Sequence, residues 1–322
     1  MRLSCGITPG PRAPELAALA EELGYQRAWF YDSPALYGDV WMAIARSLDR
    51  TSRIGVGTAV LVPSLRHVMT TAAAIGSVEA QAPGRLVVAL GTGFTGRAML
   101  GKPAIPWAEM REMVEALRAL LRGEEAVVDG AVCKLMSPEG LIAKRPISTP
   151  IVLGVGGPRS LAIARELGVD GVMCAGAPIE GVRSAQLLSF GTVLREGESF
   201  ESPRVIDAIG PAIAVVYHGA YQAGGAEAVD QLPGGAAWRA EVEQFPAESR
   251  HLYVHEGHIW ELTKRDRRHL HPALGATTFT GTPDQLRERA AAYEAQGISE
   301  LVYAPMGPDV PGELRAMREA IA

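Results

Sequence analysis

Residues 86–93 read LVVALGTG, an unbroken apolar run of five residues that ends in two glycines around a threonine. A short run without polar alternation is typical of a strand that is buried on both faces. A longer pattern follows at 107–121, where apolar residues recur every three or four positions, as on one face of a helix. This unit, a buried strand followed by an amphipathic helix, recurs along the chain and decides the fold class.

Eight apolar runs predict strands, and a helical pattern follows each of them. The predicted strands are 3–7, 28–31, 53–62, 86–90, 150–153, 171–174, 211–217 and 301–304. The predicted helices are 14–23, 39–48, 66–82, 107–121, 159–167, one from about 179, 282–297 and 312–321. No hairpin signal separates consecutive strands, so we expect parallel strands joined by crossover helices. Eight such units predict an α/β fold, a closed (β/α)8 TIM barrel, rather than an open doubly wound sheet.

The length of the chain fits one such barrel. A (β/α)8 barrel takes about 250 residues plus insertions, and the chain has 322 residues. We therefore expect a single domain over 1–322, with less regular insertions around 123–148 and 220–275.

The composition excludes several classes of protein. The net charge is −5 and no basic cluster occurs, so we expect no nucleic-acid partner. No apolar stretch approaches the ~18–20 residues that span a bilayer, and the N-terminus has no signal-peptide pattern. The three cysteines form no CxxC pair. These features predict a cytoplasmic protein with no membrane partner.

Two predicted strands end in glycine-rich loops, GTGFTG at 91–96 and GVGGPRS at 154–160. The site of a TIM barrel lies at these strand ends, and glycine loops before a helix let backbone N–H groups approach an anion. GTGFTG also matches the dinucleotide fingerprint, but Pro103 and Pro106 leave room for barely one helical turn after it. Each loop alone can equally be a tight turn. Because the two end successive barrel strands, they favour a shared phosphate site.

Three histidines lie close together in the second insertion, His251, His255 and His258. Their spacing around Glu256 is not HExxH, the pattern of a helical zinc site. We expect structural or pocket histidines here and no metal. A serine nucleophile is not predicted either, because no GxSxG occurs.

Five stretches of the sequence resemble the bacterial luciferase-like flavin or deazaflavin oxidoreductases. They are WFYDSPALYGDVW (29–41), TSRIGVGTAVLVPSLRH (51–67), PGRLVVALGTGFTGRAMLG (83–101), PIVLGVGGPRSLAIARELGVDGVM (150–173) and TGTPDQLRERAAAYEAQGISELVY (280–303). The resemblance covers roughly 1–175 and 276–322, and it is greatest to the subgroup that uses coenzyme F-420, a 5-deazaflavin. It implies a (β/α)8 barrel, in agreement with the strand count.

The resemblance also implies roles for individual residues. Asp32 would contact the ribityl-type chain or a ring carbonyl of the cofactor, and replacing it by alanine should then lower binding with little change in melting temperature. The Ala59–Val60 bond would be the family's non-prolyl cis peptide, pressed against the back of the ring. The phosphate would lie among the glycine loops, with two further residues nearby: Gly91, Thr92, Gly93, Gly156 and Gly157, then Ala175 and Gly176.

The sequence departs from the sugar-phosphate dehydrogenase branch of this family at two positions. That branch has a catalytic histidine directly after the strand-2 aspartate and an acid soon after the first glycine loop, where this chain has Ser33 and Phe94. A proton donor must therefore come from elsewhere. The candidates are His218, Tyr217, Tyr37 and His67.

The resemblance implies hydride transfer between coenzyme F-420 and a small organic substrate. Arg97, Lys102 and Arg159 follow the glycine loops and can meet an anionic cofactor tail, or they can be ordinary surface charges. The alternatives are an FMN-dependent monooxygenase and a non-catalytic flavin-binding barrel. The family implies a homodimer, with the helices after strands 2 and 3 as the expected contact.

Overall fold

Residues 1–321 are described in a computed structural model, and they form ten β-strands. The strands are β1 (Arg2–Ile7), β2 (Arg27–Phe30), β3 (Gly55–Leu61), β4 (Leu86–Leu90), β5 (Glu125–Val128), β6 (Ala131–Lys134), β7 (Ile151–Gly154), β8 (Gly171–Ala175), β9 (Ala185–Phe190) and β10 (Ile298–Ala304). Eight of them close a parallel barrel in the order β1-β10-β9-β8-β7-β4-β3-β2. The predicted (β/α)8 TIM barrel is therefore confirmed.

Twelve α-helices are described in the same range. They are α1 (Ala13–Glu22), α2 (Val40–Leu48), α3 (Val68–Gln81), α4 (Phe94–Ala98), α5 (Trp107–Arg122), α6 (Pro158–Glu166), α7 (Pro203–Asp230), α8 (Gly235–Val242), α9 (Arg250–Val254), α10 (Lys264–His269), α11 (Pro283–Ala295) and α12 (Val310–Ile321). None of these helices is both long and apolar enough to cross a bilayer.

Several helices begin where the sequence supplies a capping group. The carboxylate of Asp39 accepts hydrogen bonds from the backbone N–H of Trp41 (2.9 Å) and Met42 (3.0 Å) at the start of α2. Thr282 and Gln285 form a capping box at the start of α11. Such caps satisfy N–H groups that have no partner within the helix, which is why these boundaries agree with the sequence.

The predicted seventh strand is wrong. Residues 211–217 lie inside α7, and the barrel strand at this place is β9, in the region where a helix was expected from about 179. A short apolar run does not distinguish a strand from a buried helix. The longer stretch does, because Val205, Ile209, Ile213 and Tyr217 are all buried at a spacing of four.

Two segments outside the barrel strands overlap the predicted insertions around 123–148 and 220–275. Residues 125–134 form the antiparallel hairpin β5–β6 outside the barrel. The second insertion, here called the helical insertion, runs from α7 to the 3-10 helix Pro272–Thr277. It has its own apolar cluster, in which Tyr217 and Trp238 stack at 5.8 Å. That these parts form one domain with the barrel stays a prediction.

Candidate functional site

The interior of the barrel narrows to small apolar residues near the C-terminal ends of its strands. Ala59, Ala89 and Ala304 belong to one buried cluster with Tyr31. The ring of Tyr31 lies over Gly6, where a Cβ atom would be only 2.2 Å from the tyrosine hydroxyl. The strand ends therefore surround an apolar floor formed by this cluster, at the end of the barrel where TIM-barrel sites lie.

Val60 is seated between the two glycine loops. The Ala59–Val60 peptide bond is cis, which confirms this implication of the resemblance. A Cβ on Gly91 would lie 2.3 Å from Cγ2 of Val60, and a Cβ on Gly154 would lie 3.3 Å from its Cγ1. Only glycine at 91 leaves room for this valine, because real Cβ atoms do not approach so closely. The ends of β4 and β7, which are hydrogen-bonded neighbours, therefore meet around one side chain.

The first glycine loop is a tight turn into a short helix. Gly93 has φ 90° and precedes α4, and a Cβ on it would lie 2.7 Å from Cγ1 of Val62. The carbonyl of Thr92 accepts from the backbone N–H of Ile105 (2.9 Å). The turn geometry thus explains the glycine by itself, and a phosphate role for Gly91, Thr92 and Gly93 stays a prediction.

The second glycine loop opens to free space. A Cβ on Gly156, Gly157 or Gly176 would meet no heavy atom within 4 Å. The backbone N–H groups of Gly156 and Gly157 both donate to Oγ of Ser160, each at 3.1 Å. An anion bound here would share these donors with Ser160. Ala175 ends the neighbouring strand β8 and is exposed on the same rim.

Asp32 follows β2, and its carboxylate is hydrogen-bonded to other residues of the protein. Its carboxylate accepts from both terminal nitrogens of Arg66 (2.7 and 2.8 Å) and from the backbone N–H of Val62 (2.8 Å). Burial by itself lowers the pKa of Arg66, but the hydrogen bonds and charge of Asp32 raise that pKa overall. Arg66 was not among the site residues predicted from the sequence. A buried carboxylate is normally paired with a cation, so the expected burial of Asp32 could have predicted a nearby arginine or lysine.

The four predicted proton donors do not come together. Tyr37 donates its hydroxyl to the backbone carbonyl of His258. Tyr217 is buried in α7 rather than at a strand end, with its hydroxyl at the carbonyls of Pro233 (2.7 Å) and His269 (2.9 Å), and burial raises its pKa to about 12. His67 caps α3, where its Nδ1 accepts the backbone N–H of Met69 (3.1 Å). His218 lies in α7, within the helical insertion.

His218 belongs to a buried group of three histidines, here called the histidine cluster, with His255 and His258. Nδ1 of His258 lies 3.4 Å from Nδ1 of His218 and 3.3 Å from Nδ1 of His255. The ring of Phe94 meets His255 edge-on at 5.5 Å between centroids. His251, which the sequence grouped with the other two, lies apart beside Gly101.

Burial keeps the histidine cluster uncharged. Desolvation lowers the pKa of all three imidazoles, and the neighbouring imidazoles lower those of His255 and His258 further. The pKa of His255 falls to about 3. All three rings are therefore neutral near pH 7, and neutral imidazole is the form that binds metal ions.

Comparison with known proteins gives a consistent result. The family model described as luciferase-like monooxygenase matches residues 3–300. The chain is 31% identical over 182 residues to 5,10-methylenetetrahydromethanopterin reductase of Methanolobus tindarius, covering 53% of each chain. It is 28% identical over 188 residues to F-420-dependent glucose-6-phosphate dehydrogenase of Intrasporangium calvum, covering 52% of this chain and 55% of that one. The chain thus spans about half the length of these curated relatives.

A solved structure shows the same fold over the whole chain. The coenzyme F-420-dependent tetrahydromethanopterin reductase of Methanopyrus kandleri superposes with a TM-score of 0.69 at 18% identity. The superposition covers 100% of this chain and 99% of that one.

Proposed function

Because this chain belongs to the luciferase-like monooxygenase family, we propose that it is a coenzyme F-420-dependent oxidoreductase that transfers hydride between the deazaflavin and a small organic substrate. The names of the two curated relatives support this cofactor and reaction class. One observation on this chain carries the proposal. Val60 is held between Gly91 and Gly154 at the edge of an apolar floor, where a flat ring can be placed against it.

The residues at the mouth fit the cofactor in two respects. The floor around Ala59 and Ala304 is apolar, which suits a ring system, and the rim at Gly156, Gly157 and Gly176 has open space for an anionic group. When bound, the deazaflavin supplies the hydride chemistry. The protein would orient its ring against Val60 and exclude water from one face of it.

The cations after the glycine loops differ in their availability for an anionic tail. Arg97 donates to the carbonyl of Pro103 and to Oγ of Ser64 (2.7 Å), so it already ties two loops together. Lys102 and Arg159 are exposed, and the described residues provide neither of them with an ion pair. We propose that these two contact the tail.

The test is a titration of the purified protein with reduced and oxidised coenzyme F-420 and, separately, with FMN, followed by cofactor absorbance or fluorescence. We expect F-420 to bind more tightly than FMN. Tighter binding of FMN would instead favour the monooxygenase alternative, and binding of neither cofactor would favour a non-catalytic barrel.

A matched pair of glycine variants tests the seat of Val60. Gly91→Ala places a Cβ against Val60, whereas Gly10→Ala places one where no heavy atom lies within 4 Å. The added Cβ in Gly91→Ala should cost about 1–3 kcal/mol of overpacking and displace Val60. F-420 binding should therefore weaken at least about tenfold in Gly91→Ala and stay unchanged in Gly10→Ala. Equal affinities for the two variants would contradict the placement of the ring against Val60.

We also propose that the chain forms a homodimer through the helices that follow β2 and β3. Met42 on α2 is 64% exposed and gives this helix an apolar side chain at the surface. Family resemblance supplies the rest of this proposal.

A further inference from the structure

The histidine cluster joins two parts of the chain that are distant in sequence. His218 lies in the middle of α7, His255 ends α9, and His258 lies in the turn that follows. Their side chains are buried, with residue exposures of 0%, 1% and 7% respectively. One ligand nitrogen from each ring lies within 4.8 Å of the other two. Three imidazoles thus point at one small volume inside the protein.

The outer nitrogens show which tautomer two of these rings adopt. Nε2 of His255 is 2.6 Å from Oε1 of Gln222, and an amide oxygen only accepts, so His255 carries its proton on Nε2. Nε2 of His218 is buried without a hydrogen-bond partner and faces the carboxylate of Asp266 at 3.8 Å, which also favours a proton on Nε2. The Nδ1 atoms of both rings therefore present lone pairs to the centre of the cluster.

His258 completes the set in either of two states. Its Nε2 lies 3.0 Å from Oγ1 of Thr95, a hydroxyl that can donate or accept. If the hydroxyl donates, His258 carries its proton on Nδ1 and shares it with the two neighbouring rings. If the hydroxyl accepts, the proton moves to Nε2, and three Nδ1 lone pairs face one another. The second state is repulsive unless a cation lies between the rings.

We propose that His218, His255 and His258 bind one divalent transition-metal ion through their Nδ1 atoms, with Zn²⁺ as the best match. Two imidazole nitrogens on a tetrahedral Zn²⁺ at 2.0–2.1 Å are about 3.3–3.4 Å apart. The two Nδ1 separations to His258 are 3.4 and 3.3 Å. Imidazole is a ligand of intermediate softness that suits Zn²⁺ and its neighbours in the first transition row.

The surroundings supply what a histidine metal site requires beyond its ligands. In such sites the second ring nitrogen commonly donates to a carboxylate or carbonyl oxygen, which orients the ring. Here Gln222, Asp266 and Thr95 stand at the three outer nitrogens. His255 also borders a cavity of about 540 Å³ lined by Gln222 and Tyr221, which gives the ion a path from the surface.

The position of the cluster gives the ion a structural role, with a water molecule from the cavity beside His255 as its fourth ligand. The backbone carbonyl of His258 accepts a hydrogen bond from the hydroxyl of Tyr37. The next residue, Ile259, packs its side chain against the interior cluster of the barrel. An ion on His258 would therefore hold the helical insertion over the barrel mouth. This proposal does not depend on the proposed cofactor, because its ligands and its test involve neither F-420 nor FMN.

The experiment measures metal binding directly. The protein is freed of metal with a chelator and titrated with Zn²⁺ against a chromophoric chelator, and with Co²⁺ followed by visible absorption. We expect one Zn²⁺ per chain, and a Co²⁺ spectrum typical of tetrahedral coordination that is abolished by added Zn²⁺. An octahedral Co²⁺ spectrum, or no saturable binding of either ion, would overturn the proposal without the use of any variant.

Three variants assign the site to the cluster. His258→Ala should weaken Zn²⁺ binding at least about 100-fold, whereas His251→Ala, in the same insertion but outside the cluster, should leave binding unchanged. Thr95→Val keeps the side-chain shape and removes only the outer acceptor, so it should weaken binding about 10–100-fold. If His258→Ala fails to fold, the Zn²⁺ affinity of Thr95→Val tests the assignment instead. Wild-type affinity in a folded Thr95→Val or His258→Ala variant, or equal losses in His251→Ala, would refute the assignment.

Discussion

Replacing Asp32 by asparagine should destabilise the protein markedly, before any effect on cofactor binding is considered. The side chain of Asp32 is 1% exposed and that of its partner Arg66 is 14% exposed. Three hydrogen bonds of 2.7–2.8 Å end on this carboxylate, two from Arg66 and one from the backbone of Val62. The variant leaves a largely buried guanidinium whose next carboxylate, Asp39, is 3.8 Å away.

The expected loss can be worked out from these contacts. Removing one partner of a buried ion pair costs about 3–5 kcal/mol. The partial exposure of Arg66 and the nearby Asp39 reduce this to about 2–4 kcal/mol. The entropy of unfolding is about 2.1 cal/mol/K per residue, or roughly 0.7 kcal/mol/K for a chain of 322 residues. The melting temperature should therefore fall by about 3–6 °C.

The assay is thermal and urea unfolding of wild type, Asp32→Asn, Arg66→Met and the double variant. Because the two side chains share one interaction, the double variant should lose about 1–3 kcal/mol less than the two single losses combined. F-420 affinity is then measured well below the lowest melting temperature. A shift below about 1 °C for Asp32→Asn, together with loss of binding, would restore the direct cofactor role that the resemblance implies.

Two other predictions concern stability and assembly. Burial alone would raise the pKa of Glu21, but hydrogen bonds from the backbone N–H groups of Ile54, Arg53 and Ser52 lower it to about 2. The free energy of unfolding of wild type should thus exceed that of Glu21→Gln by about 1–2 kcal/mol at pH 7. This difference should disappear as the pH falls from about 4.5 to 2, because Glu21 then becomes protonated. A difference in urea unfolding that does not depend on pH would contradict this. If the chain is a homodimer, light scattering should give twice the 34.2 kDa chain mass, and Met42→Lys should halve it. A monomeric mass for wild type would exclude that assembly.

The barrel itself was predictable because its physical signal is local. A parallel strand covered by helices on one side and by the barrel interior on the other must be apolar throughout, so 86–90 was identified to the residue. Capping groups such as Asp39 and Thr282 fixed helix starts for the same reason, since their hydrogen bonds reach only two or three residues along the chain.

The contacts that define the site were less predictable because they are long-range. Arg66 is 34 residues from Asp32, and nothing in the spacing of the two indicates that they meet. The resemblance predicted the cis bond between Ala59 and Val60 correctly. It also assigned Asp32 to the cofactor, and it did not indicate that Arg66 already binds this carboxylate. Resemblance to a family predicts where a residue lies in the fold better than it predicts which other residue contacts it.

The histidine cluster could not be predicted from the sequence because one secondary-structure element was predicted wrongly. With 211–217 taken as a strand, His218 falls at a barrel rim and faces no other histidine. As part of α7, the same residue lies 3.4 Å from His258, and the two rings stack at 5.6 Å between centroids. The i,i+3 spacing of His255 and His258 was visible in the sequence, but the structure of α7 was needed to place His218 beside them.

The two proposed sites meet at one short segment, and this makes their binding equilibria interdependent. Ile259 packs against the same interior cluster as Val60, while its neighbour His258 belongs to the histidine cluster. An ion that holds this segment over the mouth would therefore be expected to change the affinity for a ligand in the mouth. Linkage requires the ligand to change the ion's affinity by the same factor. The Zn²⁺ and F-420 titrations, each repeated in the presence of the other, measure one coupling energy twice, and a factor of one in both titrations would show that the two sites are not coupled.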